Sequence, residues 1–164
     1  MKTIELGTTG EFVSRISLGA MGMGTDSDDP TSFALLDRFV ADGGTFVDTA
    51  DCYAWWGAQG TNGGQSEELL GRWFARTGAR DQVFLSTKGT ARLTDPAEVW
   101  PPGQEFPDWD LARKRYVGAS ARVLRESLEG SLRRLGTDRI DLYHVHVDDR
   151  STPLEETLET LAGF

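Results

Sequence analysis

A chain of 164 residues with 38% apolar and 26% charged content is long enough, and mixed enough, for a globular protein with a buried core. A formal net charge of −9 argues against nucleic acid or an anionic membrane as the main partner, while leaving room for a local cationic pocket. No apolar run approaches the roughly 18 residues of a membrane span, and the single cysteine, Cys52, excludes an internal disulfide framework, so a cytoplasmic, reducing setting is the expectation.

In chain order, Met1 to Gly10 reads as a short hairpin: KTIEL alternates and Gly7-Thr8-Thr9-Gly10 supplies turn chemistry. Ser14 to Met21 reads as a strand ending in Gly19-Ala20-Met21-Gly22-Met23-Gly24, whose glycines fall in the reverse of the G-x-G-x-x-G order. Asp29 is the expected N-cap of a helix with Pro30 in its first turn, an apolar stripe of Phe33, Leu36, Phe39 and Val40, and a stop at Gly43-Gly44. Thr45 to Ala50 is the next strand. A polar glycine loop, Gly57 to Gly64, follows Trp55 and Trp56.

Ser66 is the expected cap of a second helix, with Glu67 and Glu68 favourably placed in its first turn and Leu69, Leu70, Trp73 and Phe74 buried, ending at Gly78. Val83 to Lys88 is a strand. The segment Gly89 to Gly118, carrying Trp100, Trp109 and Tyr116, is too long for a simple connector and reads as functional or a lid. Ser120 to Leu135 is a helix stopped by Gly136, Ile140 to Val147 a strand, and Thr152-Pro153-Leu154-Glu155 opens a last helix with a capping-box pattern. Strands and helices alternating at this spacing predict parallel strands with right-handed crossovers, and no linker marks a second domain within 1–164.

Strand alternation puts Phe46, Asp48 and Ala50 on one face, Phe84, Ser86 and Lys88 on one face, and Ile140, Leu142, His144 and His146 on one face. Asp48, Lys88 and His146 then stand at or near the C-terminal ends of their strands, where barrels of β/α units build their chemistry, with Tyr53 just beyond. Each has a structural alternative: Asp48 as a loop cap, Tyr53 as a packing aromatic, Lys88 as a solvated cation, His146 as a core histidine. Together those alternatives require four coincidences at equivalent positions.

VDTADCY, GGQSEELLGRW, LSTKG and DRIDLYHVH, in this order, resemble the aldo-keto reductase family across essentially the whole chain. The resemblance implies an α/β fold, an N-terminal hairpin plus the first four units of a (β/α)8 barrel, and NADPH bound without a Rossmann motif. It implies Tyr53 as general acid, Lys88 as the ammonium that favours its phenolate, Asp48 as the partner of Lys88, and His146, the last residue of D-x-Y-x-x-H, as a group orienting the substrate carbonyl. Gly19, Ala20 and Met21, with Asp48, would lie beside the cofactor, and Trp55, Trp56 and the Trp100 to Tyr116 loop are candidates for an apolar substrate wall. The chemistry agrees: carbonyl reduction needs a proton donor matched to neutral pH and a hydride that no side chain here supplies.

Two other readings remain open at this level. His144-x-His146, with Asp141, Asp148, Asp149 or Cys52, suits a metal-dependent barrel hydrolase, and a non-enzymatic cofactor-binding relative would share the fold. The family's barrel has eight strands and this chain supplies four, so it reads as the N-terminal half, expected to need its C-terminal half or a second chain for full function. No residue present reads a 2′-phosphate, so NADP over NAD is an expectation of the resemblance alone.

Overall fold

The computed structural model describes residues 1–57 and 61–164, so part of the Gly57–Gly64 loop lies outside the described residues. Strands β1 (Thr3–Glu5) and β2 (Phe12–Ser14) pair antiparallel, Thr3 opposite Ser14. The hairpin is thus longer than the Met1–Gly10 reading. Gly7 and Gly10, with φ of 61° and 81°, turn the chain back into β2, and the next strand, β3 (Ser17–Gly19), begins only after it. Ser14 fastens the hairpin below the sheet: its amide donates to Thr45 Oγ1 at 2.8 Å and its Oγ accepts from the Thr45 amide at 3.0 Å.

Four parallel strands follow in chain order, β3 beside β4 (Phe46–Asp48), β4 beside β5 (Phe84–Gly89) and β5 beside β6 (Leu142–Val145). Helix α1 (Asp29–Ala41) connects β3 to β4, and α2 (Gln65–Thr77) connects β4 to β5. The long segment after β5 is not structureless: it holds a 3-10 turn at Pro96–Val99 and a short helix α3 (Trp109–Ala112) before α4 (Ala121–Leu135) returns the chain to β6, and α5 (Leu154–Ala162) comes last.

Three helix starts differ from the sequence reading, each for a local reason. Asp28, not Asp29, caps α1, its carboxylate accepting from the Thr31 amide at 2.9 Å, while Asp29 pairs with Arg72 across to α2. Gly64, at φ 95°, opens α2; the Ser66 hydroxyl turns inward to the Ala20 carbonyl and to Thr49 Oγ1, both at 2.7 Å. At α5 no side chain caps the helix, and Thr152 Oγ1 donates instead to Asp149 at 2.6 Å. The α4 reading holds: Ser120 Oγ accepts from the Val123 amide, and Gly136 closes the helix at φ 63°.

The outward face of the sheet packs on the helices. Val47 and Leu85 meet Leu36 and Phe39 of α1, Leu69, Leu70 and Trp73 of α2, and Leu135 of α4, all buried. Trp73 is 1% exposed, and cutting such a side chain to alanine costs about 3–5 kcal/mol. Glu67, expected to serve the helix dipole, is instead completely buried. It accepts from Thr87 Oγ1 of β5 at 2.6 Å and from Arg134 Nε of α4 at 2.7 Å, tying α2, the sheet and α4 together.

Candidate active site

The register sets the site. Asp48, the last residue of β4, lies opposite Ser86, so Lys88 projects from the same face two residues further along β5. Lys88 Nζ donates to Asp48 Oδ2 at 2.6 Å, to the Thr49 carbonyl at 2.7 Å and to the Tyr53 phenol oxygen at 2.9 Å. Ser86 Oγ donates to the other Asp48 oxygen at 2.8 Å. An ammonium has three protons and all three are engaged. The phenol oxygen therefore accepts, which leaves its own O–H free to donate elsewhere.

Tyr53 reaches this position through a tight turn. Its amide donates to the Ala50 carbonyl at 3.2 Å, and the next residue, Ala54, is buried with φ of 77°, a conformation alanine adopts only where its surroundings enforce it.

His146 is the first residue past β6. Its amide donates to the Gly89 carbonyl at 3.0 Å and to Thr90 Oγ1 at 3.2 Å, and the same oxygen lies 3.4 Å from the Val147 amide. Thr90 is fully buried with φ of 86°, so this second strained residue holds the backbone that carries the histidine. The imidazole stands edge-on to Tyr53, ring centres 5.7 Å apart. Burial, followed by the Lys88 charge, lowers its pKa below the usual value and keeps it neutral at neutral pH. Nδ1 lies 3.5 Å from the Cys52 sulfur. His144, opposite Lys88 in the register, does not line the pocket that His146 enters.

That pocket measures about 260 Å³ and is lined by Met21, Tyr53, Trp55, Trp56, Trp109 and His146, among others. The three indoles form a cluster, Trp55 lying 5.9 Å from Trp56 and 5.2 Å from Trp109 between ring centres, with Trp56 also 6.1 Å from Tyr53. Trp100 stays apart from this cluster, and its Nε1 donates to the Gln104 carbonyl at 2.9 Å, anchoring its own loop.

Of the three residues expected beside a cofactor at the end of β3, two are open to solvent. Met21 is half exposed at the pocket, and Gly19 has open space where a side chain would stand. Ala20 is buried, its amide donating to the Asp48 carbonyl and its carbonyl accepting from Ser66, so its polar groups serve the fold.

The carboxylates weighed for a metal centre have other duties. Asp141 Oδ2 accepts from Arg80 at 2.8 Å and the Leu85 amide at 2.7 Å, and Asp149 accepts from the Ala119 amide at 2.7 Å and from Ser151 and Thr152. Among the described residues no three His, Cys, Asp or Glu side chains converge as a metal site.

Ser86, Thr90 and Cys52 join the site without having been assigned to it from the sequence. Alternation with Lys88 marks Ser86 in hindsight, whereas nothing local announces the fold of Thr90 over His146.

The model of the Aldo/keto reductase family matches residues 15–164. The uncharacterized oxidoreductase YrpG of Bacillus subtilis (strain 168) is 40% identical over 97% of this chain and 44% of its own length. The aryl-alcohol dehydrogenase (NADP(+)) of Phanerodontia chrysosporium is 36% identical over 93% of this chain and 37% of its own. Among solved structures, the aldo-keto reductase AKR11C1 from Bacillus halodurans (holo form) superposes with a TM-score of 0.71 at 30% identity, covering 99% of this chain and 46% of that one. The thermostable aldo-keto reductase Tm1743, in complex with the inhibitor epalrestat, superposes equally well at 32% identity, with 49% of its chain covered. The present chain thus spans less than half the length of these relatives, and its sheet is an incomplete barrel of their kind. By sequence and by fold, the chain belongs to the aldo/keto reductase family.

Proposed function

We propose that Tyr53, Lys88, Asp48 and His146 form the proton-delivery group of an NADP(H)-dependent reductase that converts an aldehyde or ketone to an alcohol. One observation carries the reading: Lys88 Nζ joins the Asp48 carboxylate and the Tyr53 phenol oxygen, at 2.6 and 2.9 Å, beside an aromatic pocket that His146 also enters.

The substrate carbonyl oxygen sits within reach of Tyr53 and His146, which polarise it by hydrogen bonding. A reduced nicotinamide, when bound beside Gly19 and Met21, supplies the hydride that none of these side chains holds. As the C=O electron pair moves onto oxygen, the Tyr53 proton follows it and the alcohol forms. The phenolate left behind is stabilised by the Lys88 proton already on its oxygen, and Asp48 keeps that ammonium charged. Trp55, Trp56 and Trp109 give the substrate an apolar wall and exclude water.

NADP as the cofactor is supported by the name of one relative, the aryl-alcohol dehydrogenase. The relatives' greater length supports a second element of the reading: residues 1–164 form one unit that handles the proton, and a complete barrel is needed for tight cofactor binding and full turnover. The lone, buried cysteine suits a reducing cytoplasm.

The test is NADPH oxidation against a panel of aldehydes and ketones with the complete protein, wild type beside Tyr53→Phe. Turnover that survives in the variant removes Tyr53 as the acid. Tight stoichiometric binding of NADPH by monomeric 1–164 overturns the need for a complete barrel.

A further inference from the structure

Cys52 sits one residue before the acid, 4% exposed, in the apolar cluster of Ala50, Trp55, Ala91 and Val99, and the reaction as described does not use it. Its sulfur points at His146 Nδ1 across 3.5 Å, a normal separation for a sulfur hydrogen bond. Burial pushes the thiol up to about 12, so the group is S–H at neutral pH and owns a proton to donate. The imidazole is neutral, which makes one ring nitrogen a donor and the other an acceptor. Which is which follows from the partner. An sp² ring nitrogen is a good acceptor and a thiol sulfur a weak one, so the stable pairing has the thiol donating to Nδ1. The ring proton then resides on Nε2, the thiol contact at Nδ1 being the imidazole's one hydrogen bond among the described residues.

We propose that Cys52 is a positioning residue, its thiol donating to Nδ1 of His146 so that the imidazole keeps its proton on Nε2 and presents it to the substrate oxygen. Backbone bonds to Gly89 and Thr90 fix where His146 starts and the Tyr53 ring packs against its edge, while the thiol contact at Nδ1 is the one that selects its tautomer. The consequence for substrate rests on the reductase reading above; the hydrogen bond itself does not.

Two spectroscopic measurements on the 164-residue chain test it without any turnover. The chain has one cysteine and two histidines, so a Raman S–H band reports Cys52 alone, and ¹⁵N-labelled imidazoles are assigned with a single His144→Gln control. The expected S–H band lies at lower wavenumber in wild type than in His146→Leu, and it rises as acid protonates His146 and Nδ1 stops accepting. The groups facing that titration are Lys88, Asp48, His144 and Tyr53. The expected ¹⁵N pattern at neutral pH is a protonated Nε2, with the Nδ1 resonance moving toward that of an unbonded lone pair in Cys52→Ala. An S–H band indifferent to both the substitution and the acid titration, or a protonated Nδ1, overturns the assignment. Should His146→Leu fail to fold, the acid titration of wild type decides alone. If the bond is found but the complete protein reduces no carbonyl, the reductase reading falls and the hydrogen bond stands.

Discussion

Lys88 Nζ lies 2.9 Å from the Tyr53 oxygen, with the 2.6 Å bond to Asp48 behind it and only 16% of the lysine side chain exposed. An ammonium so enclosed holds the phenol oxygen as acceptor and, on the proposed reading, stabilises the charge that proton transfer leaves there. Lys88→Met is expected to lower kcat of the complete protein by about 10²–10⁴-fold, the usual range for disabling general acid catalysis. Steady-state kinetics on a small aldehyde checks it; a change in KM alone would assign Lys88 to binding.

Glu67 and Arg134 make a second prediction, about stability. Glu67 is 0% exposed, with Thr87 and Arg134 on its two oxygens. Removing the guanidinium strands a carboxylate in the interior, so Arg134→Leu is expected to cost about 3–5 kcal/mol in urea unfolding. Replacing both partners together, Glu67→Gln with Arg134→Leu, is expected to cost less than the single change.

Asp51 predicts an unusual pH dependence. Its carboxyl is fully buried, neither oxygen makes a well-formed hydrogen bond among the described residues, and the Ser127 hydroxyl gives it only weak support. Burial, with the Glu67 charge nearby, raises its pKa from 3.8 to about 7. The folded state holds this proton more tightly than the unfolded one. The stability Asp51 contributes is therefore complete below about pH 4 and is lost as pH rises through 7. Asp51→Asn, neutral throughout, is expected to exceed wild type by about 1–3 kcal/mol at pH 8 and to differ little at pH 4. Unfolding curves at the two pH values check it, and an equal gap at both would contradict it.

Asp149 runs the other way. Hydrogen bonds from Ser151, Thr152 and the Ala119 amide hold it well below the usual carboxylate range. Its contribution is present above the unfolded pKa and fades as pH falls through the folded one. Asp149→Ala is expected to loosen the turn before α5 and cost about 1–2 kcal/mol at pH 7, the deficit shrinking in strong acid. Thermal unfolding against pH measures this directly.

The inward-facing residues were legible because strand alternation is a local rule: Asp48, Lys88 and His146 converge as their positions in the sequence require. The aromatic wall was half legible, since Trp55 and Trp56 reach the pocket with Trp109, whereas Trp100 anchors its own loop. Caps were less legible. Ser66 satisfies every local criterion for an N-cap, yet its hydroxyl finds Thr49 and the Ala20 carbonyl, 17 and 46 residues away, and Gly64 opens the helix. Glu67 misled in the same manner, its partner Arg134 lying 67 residues on. Neighbour-based rules see one side of such pairs; the tertiary fold supplies the other.

The strands lie side by side in the order in which the chain presents them. The bonds from Lys88 to Asp48 and Tyr53 therefore span only 40 and 35 residues, and each joins β5 to β4 or to the turn that leaves it. A ribosome releasing this chain has delivered every atom of the lysine–carboxylate–phenol group by Lys88, and the histidine follows at 146. On the proposed reading, the acid is therefore built within two adjacent strands and the turn that leaves the first, and whatever completes the barrel has only to bring the hydride to it.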